Sequence, residues 1–274
     1  RVKRHACEAF VRSGLAPPAE PLLAMFAQPD RWLRFAARLA LEHVPAEQWR
    51  MSILEAKEPR LVLDGLLALQ HLGPKGVSNE LLLEKELSLL NQWDSLTPEQ
   101  RLDALRMVEV TLFHGGTGPV AAQIGRRVLD VFPTGVPNLD MEAARIIAFL
   151  QVPGGAEKIV AALDGETDHP RQIHYALTLN YIKGDWDVAL KGRLLRWYET
   201  TRDWEGGHSF VPFLENIVGA TVDRFNASER RQLLERWAER PYATRLVFRR
   251  SSPAQVEDYD GLLARIIAGI AEQP

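Results

Sequence analysis

The chain has 274 residues, 46% hydrophobic and 25% charged, with a formal net charge of −3. That length and balance suit a folded chain with a large core and exclude an intrinsically disordered one. A near-neutral charge gives no long-range pull toward nucleic acid or an anionic membrane, and a single cysteine, Cys7, excludes an intrachain disulfide framework and any CxxC metal or haem-attachment motif.

Taken in order, Arg1–Gly14 reads as a helix stopped by Gly14, and Pro17, Pro18 and Pro21 set a turn before a short helix over Pro21–Gln28. Asp30 is placed to cap a helix that starts at Arg31 and ends before Pro45. Glu58–His71 follows, ended by Leu72-Gly73-Pro74, with Ser78–Trp93 as its apolar partner. Thr97-Pro98-Glu99-Gln100 is a capping box with proline at the first helical position, leading into Arg101–Phe113. His114–Pro119 is a glycine-rich turn and not a phosphate loop, since neither GxxxxGK nor GxGxxG is present.

Val120–Val131, Asn138–Gln151, Gly155–Leu163, Arg171–Ile182 and Asp185–Thr200 continue the helical pattern. Arg202–Phe210 breaks it. Pro212–Phe225 and Ala227–Trp237 resume it, and Thr244–Phe248 is the only strand-like run, expected as an extended crossing too short to build a sheet. Ser252-Pro253-Ala254-Gln255 repeats the capping arrangement before a last helix, Asp258–Ala271.

One skeleton recurs. Leu33, Ala37, Ala40 and Leu41 are matched by Val2, Ala6, Ala9 and Phe10, by Leu61, Gly65, Ala68 and Leu69, and by Leu139, Ala143, Ile146 and Ile147. Small residues at fixed places let helices approach closely while large ones fill the groove beside them. Val2 to Leu33 is a step of 31 residues and Leu33 to Leu61 one of 28, both in the range of stacked helical pairs. The expected fold is all-α, an α-α superhelix of HEAT/armadillo-like type with about seven helical pairs, running as one domain over 1–274. The chain starts in mid-pattern, so a piece of a longer multidomain protein is expected.

The least ordinary stretch is Trp204-Glu205-Gly206-Gly207-His208-Ser209-Phe210, followed by Glu215 and Asn216. Read functionally, Trp204, Gly206, Gly207, His208, Ser209, Glu215 and Asn216 form a loop with little side-chain bulk that a ligand or a second chain could approach. Read structurally, His208 and Ser209 cap the next helix while Trp204 and Phe210 pack. His169 and His174 stand five apart, a poor spacing for a metal pair on one helical face. No metal ligand or catalytic residue is assigned. Arg126-Arg127, Arg230-Arg231 and Arg249-Arg250 read as solvated faces or ion pairs, and Trp32, Trp93, Trp186, Trp197 and Trp237 as core or boundary packing.

Val2-Lys3 through Ala9-Phe10 and Leu33-Arg34 through Ala40-Leu41 resemble HEAT repeats. Asn138-Leu139 through Gln151, Gln172–Leu177, Gly206–Phe210 with Phe213–Ile217, and Arg240-Pro241 resemble the helical segment of large exported bacterial proteins. In that family the segment lies between a β-propeller similar to sugar dehydrogenases and a c-type cytochrome domain. The resemblance implies a periplasmic or cell-envelope setting, with haem c in an adjoining domain and no cofactor in this segment; without it a cytoplasmic setting is the default.

The function expected on these grounds is a non-enzymatic scaffold mediating interdomain or protein–protein contacts. Its contact face is expected on second helices such as Val120–Val131 and Asp185–Thr200. Neither nucleic acid nor direct membrane insertion is expected, the latter because no apolar run reaches the ~20 residues of a span. The alternative is a cofactor- or substrate-binding module of a redox enzyme centred on Gly206–Phe210.

Overall fold

The computed structural model describes residues 1–73, 76–184 and 186–271, and among these it contains sixteen α-helices and no strand. Pro74 and Asp185, which the sequence places at a helix end and a helix start, lie outside the described residues. The chain divides into two compact units, Arg1–Leu150 and Gln151–Pro274.

The first unit holds α1 (Val2–Ser13), α2 (Ala19–Leu23), α3 (Arg31–Leu41), α4 (Arg50–Glu55), α5 (Pro59–Leu72), α6 (Asn79–Leu90), α7 (Pro98–Phe113), α8 (Pro119–Val131) and α9 (Pro137–Phe149). Helices α1, α3, α5, α7 and α9 pack side by side in that order. Behind them α2 lies on α3, α4 on α5, α6 on α7, and α8 on both α6 and α9. Local chemistry starts and stops these helices. Asp30 Oδ1 accepts from the backbone N–H of Trp32 at 2.9 Å, Thr97 and Gln100 exchange a reciprocal pair at 3.2 and 2.9 Å, and Gly14 closes α1 with φ of 69°.

The repeated skeleton is the packing seam in three of its four copies. Ala37, Ala40 and Leu41, then Gly65, Ala68 and Leu69, then Leu139, Ala143, Ile146 and Ile147 are all buried. The need for smallness is direct at Gly65, where a Cβ would stand 2.3 Å from Ile53 Cδ1 of α4. In α1 the pattern does not pack: Val2, Ala6 and Ala9 are exposed, and Cys7 is the buried residue, its Sγ 3.7 Å from Met25 Sδ. Helix α1 packs chiefly on α3 with its Cys7 stripe covered, and burial raises the thiol pKa.

The second unit holds α10 (Gly155–Gly165), α11 (His169–Leu179), α12 (Val188–Thr200), α13 (Phe210–Val222), α14 (Ala227–Glu235), α15 (Pro241–Arg249) and α16 (Tyr259–Ala271). Helices α11, α13 and α15 pack in series, α10 lies on α11 and α12, and α14 on α15 and α16. Here the expected extended run is corrected: Thr244–Phe248 lies inside α15. Ala243, Thr244, Leu246 and Val247 are buried at helical spacing, and tertiary packing overrides β-branched propensity. The cap of α15 comes from far away in sequence, since the Glu199 carboxylate of α12 accepts from the backbone N–H of Tyr242 at 3.2 Å and Ala243 at 2.8 Å. Arg230 is corrected too. It is buried rather than solvated, donating to the Val222 and Phe225 carbonyls at 2.9 and 3.1 Å and to Ser251 Oγ at 2.6 Å.

Arginines bridge neighbouring helices of the first row. Arg34 of α3 meets Asp64 of α5 at 3.1 Å, Arg60 of α5 meets Asp103 of α7 at 2.6 Å, Arg106 of α7 meets Glu142 of α9 at 3.2 Å, and Arg145 of α9 returns to Glu109 of α7 at 2.9 Å. Arg106 and Arg145 are half exposed, so those pairs stabilise by no more than about 1 kcal/mol each. Asp64 is more deeply placed, and desolvation raises its pKa despite Arg34 and Arg60.

Between α5, α6 and α7 one carboxyl is sealed. Glu86 is 1% exposed; Thr111 Oγ1 donates to its Oε1 at 2.6 Å, and its Oε2 has no hydrogen-bond partner among the described residues. Burial pushes the Glu86 pKa up from 4.5 to about 8. A folded pKa above the unfolded one gives stability that is full below about 4.5, falls as pH rises, and levels off above about 8. Thermal unfolding is therefore expected to show a lower Tm at pH 9 than at pH 6. Glu86→Gln should flatten that dependence and raise stability at pH 9 by on the order of 1–3 kcal/mol, the cost of an uncompensated buried polar group. A pH profile unchanged by the substitution would contradict the assignment.

Candidate functional site

The loop singled out in sequence follows α12 through a 3-10 turn, Thr201–Asp203, and runs into α13. Trp204 is turned away from the rest of its motif. Its ring stacks on His169 with centroids 3.7 Å apart and planes 13° from parallel, and meets Trp197 edge-on at 6.1 Å. Trp197 Nε1 donates to Gln172 Oε1 at 2.8 Å, and Gln172 Nε2 donates to the Glu166 carbonyl at 2.7 Å. The Glu166 carboxylate accepts two bonds from Arg171, at 2.7 and 2.9 Å, which hold its pKa down at about 2. Glu166, His169, Gln172, Trp197 and Trp204 border a cavity of about 430 Å³ lined also by Leu163, Asp164, Arg196 and Thr200.

The remaining loop residues do not converge. Gly206 lies beneath the Phe210 side chain, where a Cβ would come within 2.3 Å of the ring, and Gly207 faces open space. His208 and Ser209 are exposed; Ser209 is the N-cap residue of α13 but makes no capping bond, so the capping role expected of it is not seen. Glu215 is ion-paired with Arg249 of α15, and Asn216 is exposed. No hydrogen bond joins His208 to Glu215 or Asn216. The loop is a packed turn at its Trp204 and Gly206 end and a free surface at His208. Among the described residues no group of three or more His, Cys, Asp or Glu side chains is placed to hold a metal ion.

A second surface went unmarked in the sequence. Trp32 and Phe35 of α3 are 53% and 47% exposed, whereas Trp93, Trp186 and Trp197 are buried as expected. The two rings stand at i and i+3, neighbours on one helical face, and each carries a guanidinium: Arg31 lies 4.5 Å from the Trp32 centroid and Arg38 5.2 Å from that of Phe35. They form a ridge between two grooves. One, of about 300 Å³, lies toward α1 with Val11, Arg12 and Leu39; the other, of about 420 Å³, lies toward α5 and α7 with Leu63, Asp64 and Met107. Helices α8 and α12, where the contact face was expected, carry no large exposed hydrophobic residue. The overlooked signal was the run Arg31-Trp32-Leu33-Arg34-Phe35 itself. With Ala36, Ala37, Ala40 and Leu41 turned inward, two aromatic side chains remain on the outer face of α3.

The chain matches no protein-family model and no curated protein. The stacking of Trp204 on His169 predicts that Trp204→Leu lowers stability in urea unfolding by at least about 0.5–1.5 kcal/mol, while His208→Ala stays within about 0.5 kcal/mol of the parent. Equal losses would place His208 in the packed part of the loop.

Proposed function

We propose that the chain is a non-enzymatic HEAT-like α-solenoid scaffold that binds or orients a protein partner or neighbouring domains. Side-by-side helices in each unit, with small residues at the seams, support the architectural part. The exposed Trp32 and Phe35 ridge between two grooves carries the functional part. Aromatic side chains next to arginine are the composition enriched at the centres of protein interfaces. An exported cytochrome c/dehydrogenase-like protein as the setting is supported by the sequence resemblance alone, and haem c would belong to an adjoining domain.

The test is photo-crosslinking in cells that express the chain at its natural level. A photoreactive residue in place of Phe35 is expected to yield discrete protein adducts that the same residue in place of His208 does not. Adducts at position 208 and none at 35 would overturn this reading in favour of a binding role for the Gly206–Phe210 loop.

A further inference from the structure

We infer that the Trp32 and Phe35 ridge receives an acidic amphipathic helix of another protein; the inference rests on the scaffold reading and names its partner by chemistry. The first observation is charge. Helix α3 carries Arg31, Arg34 and Arg38 and no acidic residue, and α1 carries Lys3, Arg4 and Arg12 against Glu8 alone. Asp64 answers Arg34, Glu42 answers Arg38, and Glu8 answers Arg4. Arg31 and Arg12 have no carboxylate within ion-pair distance among the described residues, and they border the ridge on its two sides. Unanswered cations beside exposed rings are complementary to a face bearing both carboxylates and apolar side chains.

The second observation is shape. One groove is lined by α1 and α3 and the other by α3, α5 and α7, and these four helices span three interhelix steps of about 9 Å, or about 27 Å in all. A helix of about five turns covers that length at 1.5 Å per residue. A helix laid across them would drop apolar anchors into the groove beside Val11 and Leu39 and the one beside Leu63 and Met107. A polyphosphate fits worse. Asp64, Glu99 and Asp103 line the larger groove and occupy Arg34 and Arg60, leaving no continuous cationic track for a nucleic-acid backbone.

Fluorescence anisotropy of the whole chain tests this with a labelled helical peptide of about five turns bearing Glu and Asp on one face and Leu and Phe on the other. Binding is expected to weaken with added salt and to fall at least tenfold in Trp32→Ala/Phe35→Ala. Both residues are exposed, so circular dichroism should show the variant folded. A peptide with the same apolar face and lysines for the acids should bind at least tenfold more weakly than the acidic one. Equal binding of the two peptides overturns the charge assignment, and preferential binding of a single-stranded oligonucleotide overturns the protein partner. Sedimentation that shows self-association abolished by the double substitution would make a second copy the occupant. If Phe35 crosslinks to protein in cells yet the acidic peptide does not bind, the partner's chemistry is wrong and the scaffold survives; if neither occurs, both fail.

Discussion

Close approach between helices at a few small residues is the constraint on which the first unit depends. Ala37, Gly65 and Ala143 occupy the same place in their helices, and all are buried. At Gly65 the requirement is strictest, because Ile53 of α4 fills the space that any side chain would need. Glycine in the middle of a helix is otherwise unfavourable by about 1 kcal/mol relative to alanine. Its place in α5 is therefore a packing decision: the helix gives up propensity so that α4 can seat against α5 and seal the seam. In the second unit Gly219 of α13 leaves room for a different neighbour, the Arg250 guanidinium, 2.7 Å from where its Cβ would stand; a flexible side chain can yield there, so the demand for glycine is weaker than at Gly65.

Polar groups then determine how the rows are indexed. Arg34–Asp64, Arg60–Asp103 and Arg106–Glu142 each join one helix to the next in the row. Their stabilisation is small where they are exposed and offset by desolvation where they are deeper, as the raised Asp64 pKa records. What they supply is registry. A helix displaced by one turn would break the Arg34–Asp64 and Arg106–Glu142 pairs, whereas Arg60 has a second carboxylate, Glu99, one turn from Asp103. The buried groups work likewise in the second unit, where Glu199 caps α15 and Arg230 ties together the ends of α13 and α15.

The same geometry accounts for the exposed ridge. Once Ala36, Ala37, Ala40 and Leu41 of α3 are turned into the seam, Trp32 and Phe35 project from the outer face and α1 and α5 form walls on either side. The loop at Trp204 follows the opposite course, its largest ring being taken up by His169 and Trp197. Other large apolar side chains are exposed elsewhere, Phe113 and Phe149 among them; what sets α3 apart is that its two exposed rings are neighbours with a groove on each side, and the proposed binding role rests on that pairing.

Helices with local signals were legible in the sequence: Gly14, Asp30 and the Thr97 capping box all act where their spacing implies. The repeat skeleton was legible because seams reuse small residues. Helix α15 is hard to read from sequence because its capping carboxylate, Glu199, lies more than forty residues upstream, its local start signal is Pro241 alone, and Thr244-Arg245-Leu246-Val247-Phe248 is rich in β-formers. Helix α4 went unnoticed because six residues are too few for a periodic pattern. His208 drew attention by composition, yet exposure depends on which neighbours pack, and Trp32 looked like core for the same reason. The central claim is tested most directly by urea unfolding of Gly65→Ala in the parent and in Ile53→Ala. Packing at the seam predicts a loss of about 1–3 kcal/mol in the parent, against the gain that helix propensity alone would give, and a neutral or stabilising effect once Ile53 is truncated. Stabilisation of the parent by Gly65→Ala, or an equal loss in both backgrounds, would contradict it.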